Sequence, residues 1–392
     1  MTIHDPDLQL ATVSPAAPVM PAAPGPDEAG GILTIDLAAI EANWKTLAGT
    51  TVPVECAAVV KADAYGCGLE PVARKLAHAG CRTFFVADVG EGRRLRAVAP
   101  DTTVYVLNGI MPGSAQAFAE NSLRPVINSA SELAEWDAFV AGSSWRGGAA
   151  LHVDTGMNRT GITVEEAAAL APRIHSENHG LTLLMSHLAC AEVPDHPMND
   201  QQVRLFREIR IMYRGLSSSL ANSSGIFLGS TVHCDLVRPG VALYGANPTP
   251  GSTNPMRPVI ELNGRIIQVR TLNKGETAGY GAAWSAGRAS RIAIIAVGYA
   301  DGFLRSASAA KGKAAAEVLV AGKLCPVVGR VSMDLIAVDV TDLPAGTARR
   351  GDFATLIGEG MSVDNLAAGM GTIAYEVLTN LGRRYHRIYK GA

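Results

Sequence analysis

The chain has 392 residues, 48% hydrophobic and 18% charged, apolar enough to bury a large core and to exclude a chain disordered throughout. Its 34 Lys and Arg against 36 Asp and Glu leave a formal charge of −2, no field to hold nucleic acid or an anionic membrane surface. The length exceeds one core of ordinary size, so two domains are expected, with small molecules as partners.

Cys56, Cys67, Cys81, Cys190, Cys234 and Cys325 form no CxxC pair and suggest no metal cluster, a usage that suits a reducing compartment. No apolar run approaches the roughly 20 residues a bilayer requires. The first residues, with His4 and Asp5, lack the basic start and apolar stretch of a secretory signal, so a cytoplasmic location is expected.

Along the chain, residues 1–31 read as a disordered tail, mostly Ala, Pro and Gly from Thr12 on. Eight short apolar runs follow: 57–60, 84–87, 104–107, 125–127, 151–153, 181–185, 219–221 and 236–237. Helical stretches alternate with them, such as Ser131–Val140 capped by Ser131, and Asp200–Tyr213 with Val203, Phe206, Ile209 and Met212 on one face. Eight such units predict a (β/α)8 barrel over residues 32–255. A proline-rich linker, 247–258, leads into a β-rich domain over 256–392, with turns expected at Asn263-Gly264 and Ala321-Gly322.

In such a barrel the reactive residues follow the strands at their C-terminal ends. That rule selects Lys61, Asp154, Arg159, His187, Asn222, Ser223 and Arg238. A lysine at the edge of an apolar core loses proton affinity and becomes a nucleophilic amine, though a lysine there can equally extend to solvent. Arg238-Pro239-Gly240-Val241 offers amides beside a glycine, suited to a phosphate after the eighth strand. Taken singly, Ser223 could be a turn serine, Arg238 a partner of Asp235, His187 a structural histidine and Cys190 inert. In the second domain, Tyr280 between two glycines is either a presented phenol or a residue packed on a sheet. Met333 and Asp334 form either a turn or a ligand-facing corner.

Together these segments resemble the pyridoxal 5′-phosphate-dependent alanine racemase family, in order from about Ile32 to Tyr389. The resemblance rests on VVKADAYGCGL at 59–69, DTGMNRTG at 154–161, ANSSG at 221–225, LVRPGVALYG at 236–245, VGYADG at 297–302, GRVSMD at 329–334 and YEVLTNLGRRYHRIY at 375–389. It implies that Lys61 carries the cofactor as a Schiff base, and that Tyr65, Ser223, Gly240, Val241 and Tyr375 hold its phosphate. Arg238 then faces the pyridine nitrogen, and Arg159 and the Met333 main chain meet the substrate carboxylate. It also implies a homodimer in which Tyr280, Met333 and Asp334 act across the interface.

Inversion at Cα needs a proton to leave one face and another to arrive on the opposite face. The resemblance assigns Lys61 to D-alanine and Tyr280 to L-alanine, with His187, backed by Arg238, aiding the phenol, whose ordinary pKa is near 10. The product would feed peptidoglycan synthesis, or alanine would be degraded. One departure stands out: His152 occupies the position of a lysine, often carbamylated, that orients the family's substrate arginine. Alternatives are a racemase of broader specificity, a barrel-type decarboxylase, which Arg238 argues against, and a noncatalytic cofactor-binding barrel. Tyr280 and the C-terminal domain discriminate against the last.

Overall fold

A computed structural model describes residues 24–175, 180–308 and 315–392. As far as residue 23, the expected tail lies outside the described residues. From Pro24 the chain is held: its carbonyl accepts from the His386 ring at 2.9 Å, the Pro26 carbonyl accepts from Arg265 at 2.7 Å, and Ala29 is buried.

Strand β1 (Gly31–Asp36) alternates buried and half-buried positions, with Leu33 and Ile35 inward. Asp36 ends it and starts helix α1 (Leu37–Thr51), because its Oδ1 accepts the Ala39 N–H at 2.9 Å. The barrel strands are β2 (Glu55–Cys56), β3 (Ala58–Val59), β4 (Thr83–Val86), β5 (Thr103–Val106), β6 (Arg124–Ile127), β7 (Ala149–His152), β8 (Leu181–Met185), β9 (Ser217–Ser219) and β10 (Leu236–Val237).

Strands β3 to β9 form one parallel sheet in chain order, and β2 pairs in parallel with β10. The Asp235 and Arg238 amides donate to Ser218 and Ala221 carbonyls, both at 2.9 Å, so β10 also joins the end of β9 and the ring closes, with β2 and β3, parted only by Ala57, counting as one of its eight strands. Strands β4 and β7 are buried at every position, as expected where helices cover a parallel barrel. Burying Phe84 and Phe85 contributes about 2 kcal/mol each. Strand β9 lies two residues earlier than the predicted 219–221. Small serines suffice there because their hydroxyls bond onward, Ser218 to Asp235 and Ser219 to the Leu236 carbonyl, both at 2.6 Å.

Outside run helices including α2 (Leu69–His78), α3 (Val89–Val98), α4 (Ala130–Ala141) and α5 (Pro197–Met212). The cap of α4 is Ser129, not Ser131: the Ser129 Oγ accepts the Glu132 N–H at 3.2 Å. In α5, Phe206 and Ile209 are buried as predicted but Met212 is exposed, and Asn199 and Gln202 take inward positions. Gln202 is buried for a reason: it donates to the His187 carbonyl at 2.8 Å and accepts the Ala189 N–H at 2.8 Å, bracing the loop after β8. Among the described residues, no helix is long and apolar enough to cross a membrane.

The second domain contains β11 (Ile260–Leu272), β12 (Ser290–Ile295), β13 (Glu317–Val320), β14 (Lys323–Val328), β15 (Ile336–Asp339), β16 (Phe353–Ile357), α6 (Val363–Met370), α7 (Ala374–Thr379) and β17 (His386–Lys390). Its sheet runs β12-β15-β14-β13-β16-β11, and β11 pairs back onto β12, so six strands close on themselves. Two findings differ from the sequence reading. Asn263-Gly264 is no turn but the middle of β11, where a Cβ on Gly264 would lie 2.6 Å from the Ile295 side chain. And β1, placed by sequence in the first domain, pairs antiparallel with β11 and parallel with β17, stitching the chain's two ends into the second domain's sheet. Ala321-Gly322 is the expected hairpin turn, with φ +49° and +75° as its type requires.

Candidate active site

The segment after β3 leads straight into a tight turn, Lys61–Tyr65, that puts Lys61 in a cavity of about 990 Å³ at the barrel's C-terminal mouth. Ala62, Asp63, Ala64 and Tyr65 all have φ between +52° and +54°, a turn of left-handed helix. L-residues adopt this at about 1–2 kcal/mol each, a cost found where a site needs it. Main-chain bonds close the turn, Ala64 N–H to Val60 and Gly66 N–H to Ala62, both 2.9 Å. Desolvation, and then the Arg159 charge, lower the pKa of Lys61, so its amine gives up its proton more readily than a surface lysine does.

Beneath it Tyr65 is buried and stacks on Tyr244 with ring centroids 4.6 Å apart. A Cβ on Gly240 would overlap the Tyr65 hydroxyl, so this hydroxyl and the Gly240 backbone meet only because residue 240 has no side chain. The Gly240 and Ala242 amides converge on Ser223 Oγ at 2.9 and 3.3 Å, where the 3₁₀ turn Val241–Tyr244 begins. Tyr375 completes this wall, 6.1 Å from the Tyr65 ring; burial, then Glu192, raises its pKa to about 12. The hydroxyls of Tyr65, Ser223 and Tyr375, beside the start of a helical turn, make an anion cradle.

Arg238 crosses the barrel floor and is 4% exposed. Asp235 pairs instead with Arg210, at 3.0 Å. Arg238 donates to Ser219 Oγ, to the Ser186 carbonyl at 2.6 Å and to His187 Nδ1 at 3.4 Å. Among the described residues it has no carboxylate partner, and desolvation lowers its pKa to about 10, which leaves it charged at neutral pH. Because arginine cannot accept, His187 Nδ1 must be the unprotonated nitrogen and Nε2 carries the hydrogen. Burial first, then Arg238, holds the His187 pKa well below its ordinary value.

His152 ends β7, and its ring faces Asn128 Oδ1 at 2.8 Å. The Asn128 amide nitrogen donates to the Val126 and Leu107 carbonyls, which fixes Oδ1 as acceptor and puts the His152 proton on Nδ1. Desolvation, then Arg238, lowers its pKa to about 4, so the ring is neutral. Arg159 lies in the following loop, which is set by Asp154 Oδ1 accepting the Gly156 and Met157 amides at 2.8 and 2.9 Å. It lines the same cavity and makes no hydrogen bond or ion pair with any described residue.

Tyr280, Met333 and Asp334 lie elsewhere and do not line this cavity. Gly279 and Gly281, at φ +77° and +70°, present Tyr280 on a turn where it is 70% exposed, a displayed phenol and not a sheet-packed one. Met333 is 54% exposed, and its amide has no acceptor among the described residues. Asp334 accepts from Arg384 at 2.7 Å. Sequence reasoning missed Asn128, although the strand-end rule reaches it, just after β6.

Two family profiles match the chain: alanine racemase, N-terminal domain, over residues 35–248, and alanine racemase, C-terminal domain, over residues 259–389. The chain belongs to the alanine racemase family. It is 51% identical to an alanine racemase of Methylobacterium sp. (strain 4-46), over 92% of this chain and 98% of that one. It is 46% identical to the biosynthetic alanine racemase of Agrobacterium fabrum, over 91% and 93%. Among solved structures, that of alanine racemase from Bartonella henselae with covalently bound pyridoxal phosphate superposes with a TM-score of 0.87 at 38% identity, covering 92% of this chain and 99% of that one.

Proposed function

We infer that the chain interconverts L- and D-alanine with pyridoxal 5′-phosphate held at the barrel mouth. The observation that carries this is the pairing, in one cavity, of a lysine of lowered proton affinity with an anion cradle and a buried arginine that has no carboxylate partner. The residues fit the group. Lys61 supplies the amine, and the Ser223, Tyr65 and Tyr375 hydroxyls, gathered beside the Gly240–Val241 backbone, supply donors for a phosphate. Arg238, a permanent donor, suits a ring nitrogen that stays unprotonated. When bound, the cofactor supplies an electron sink for the pair released from the Cα–H bond.

The chain's own groups do the rest. Lys61, desolvated, takes or returns the proton on one face of Cα. The uncommitted guanidinium of Arg159 matches a substrate carboxylate and orients the amino acid. Arg238 holds His187 in the tautomer that donates from Nε2, the form that can stabilise a phenolate.

The second base, Tyr280, belongs to this proposal through a homodimer, in which Tyr280 of the partner subunit meets the opposite face of Cα. Met333 and Asp334 come with it. Supporting this are the exposure of Tyr280, Met333, Tyr299 and Ile373, and the free Met333 amide. A cytoplasmic location is part of the same reading, supported by six free cysteines.

The test incubates the cofactor-loaded protein with L-alanine in D₂O, with chiral chromatography and mass spectrometry as readouts. The expected product is D-alanine carrying deuterium at Cα. Bound cofactor with no inversion of alanine would overturn the reading.

A further inference from the structure

Besides its own main-chain bonds, the run of four left-handed L-residues has a support from outside the turn. Glu91, in the first turn of α3, reaches across with both carboxylate oxygens. Its Oε1 accepts the Asp63 N–H and its Oε2 the Ala87 N–H, each at 2.9 Å. One carboxylate thus ties the middle of the left-handed turn to the end of β4. The Glu91 amide in turn donates to Asp88 Oδ1 at 2.9 Å, so the same residue is anchored in the helix start. Its side chain is thereby committed to the lysine turn instead of to its own helix cap. A second clamp lies alongside: Asp63 Oδ1 accepts the Leu69 N–H at 3.1 Å and takes Arg94 at 2.5 Å, while Arg94 also holds Glu70.

We propose that Glu91 is a positioning residue for Lys61: its carboxylate locks the left-handed turn to the barrel wall and holds a negative charge against the backbone of the lysine turn. The charges that act on Lys61 are Arg159, from the loop after β7, and Glu91, from α3, and Lys61 in turn bears on His187 after β8. Glu91 is the one that favours the charged amine, against burial and Arg159. Tyr244 and Asp63 also lie near it, and Arg94 is occupied by Asp63 and Glu70. Glu91 therefore keeps Lys61 able to hold a proton as well as to release one, which a residue that both takes and returns a proton requires.

This inference rests on Lys61 as the reactive lysine, and its test has a readout independent of racemisation. The full-length chain, freed of cofactor with hydroxylamine, is pulsed with acetic anhydride between about pH 6 and pH 11, and Lys61 modification is read by peptide mass spectrometry. In Glu91→Gln, of equal size but uncharged, the labelling midpoint of Lys61 falls by about 0.5 pH unit. The reloaded variant loses kcat by about 10- to 100-fold, with KM changed far less. Glu91→Asp keeps the charge but is a methylene too short to span both amides, so its midpoint stays near wild type while kcat falls. A folded Glu91→Gln with an unmoved midpoint overturns the charge role, and a Glu91→Asp of wild-type kcat overturns the bridge. If Glu91→Gln does not fold, Glu91→Asp alone decides between bridge and no bridge.

Discussion

The two halves of the proposed site are built in opposite ways. At the barrel mouth, Lys61, His152, His187 and Arg238 are buried or half-buried and shifted in proton affinity by desolvation, and the last three are hydrogen-bonded within their own chain. In the second domain, Tyr280 and Met333 stand on exposed turns that their own chain leaves uncovered. The first half is finished by folding. The second has its geometry set by folding, through Gly279 and Gly281, but not its environment, and in the proposed reading a second copy supplies that environment.

The comparison breaks most sharply at the lysine. Lys61→Ala should lower kcat by about 10³-fold or more and abolish the visible absorption of protein-bound cofactor, while the melting temperature stays close to wild type. Tyr280→Phe should cost about 10²- to 10⁴-fold in kcat yet leave that absorption intact. In D₂O this variant should still exchange the α-proton of D-alanine, because Lys61 remains. Mixing the two inactive proteins sharpens the contrast further. If each site takes its lysine from one chain and its phenol from the other, a mixed dimer has one complete site, and a 1:1 mixture recovers about a quarter of wild-type activity. No recovery would place both groups in one chain's site.

Gly240→Ala should act more weakly and only on the finished half. A methyl at this position would overlap the Tyr65 hydroxyl. Cofactor affinity should fall about 10- to 100-fold by equilibrium dialysis, with little change in thermal stability.

This division also explains what the sequence disclosed. The barrel was legible because eight short apolar runs bounded by helical stretches have few other solutions, and of the residues that the strand-end rule then selected, Lys61, Arg159, His187, Asn222, Ser223 and Arg238 line one cavity, while Asp154 does not and instead accepts the Gly156 and Met157 amides of its own loop. The partnership of β1 with β11 and β17 was not legible, since pairing between residues more than 200 positions apart leaves no local pattern. Asn263-Gly264 misled for a related reason: a glycine demanded by a neighbouring strand's isoleucine looks locally like a turn. Arg238 was ambiguous beside Asp235 until the fold gave Asp235 to Arg210. Glu91 was invisible because its role lies in two backbone amides, 28 and four residues away, and not in its own spacing.

His152 offers the smallest and most specific test of the finished half. At 7% exposed, with its Nδ1 hydrogen on Asn128, it is held neutral with a pKa of about 4 against about 6.5 in the unfolded chain. The unfolded state therefore binds a proton that the folded state refuses between those values. Its stability contribution is whole above about pH 6.5 and is lost as the pH falls toward 4, a swing of about 3 kcal/mol in all and about 2 between pH 7 and pH 5. His152→Gln can still bond Asn128 but cannot titrate, so its urea-unfolding free energy should lose about 2 kcal/mol less than wild type over that interval. Equal losses in both proteins would mean that the acid sensitivity lies elsewhere and that His152 exchanges protons with solvent from an environment much wetter than its burial implies.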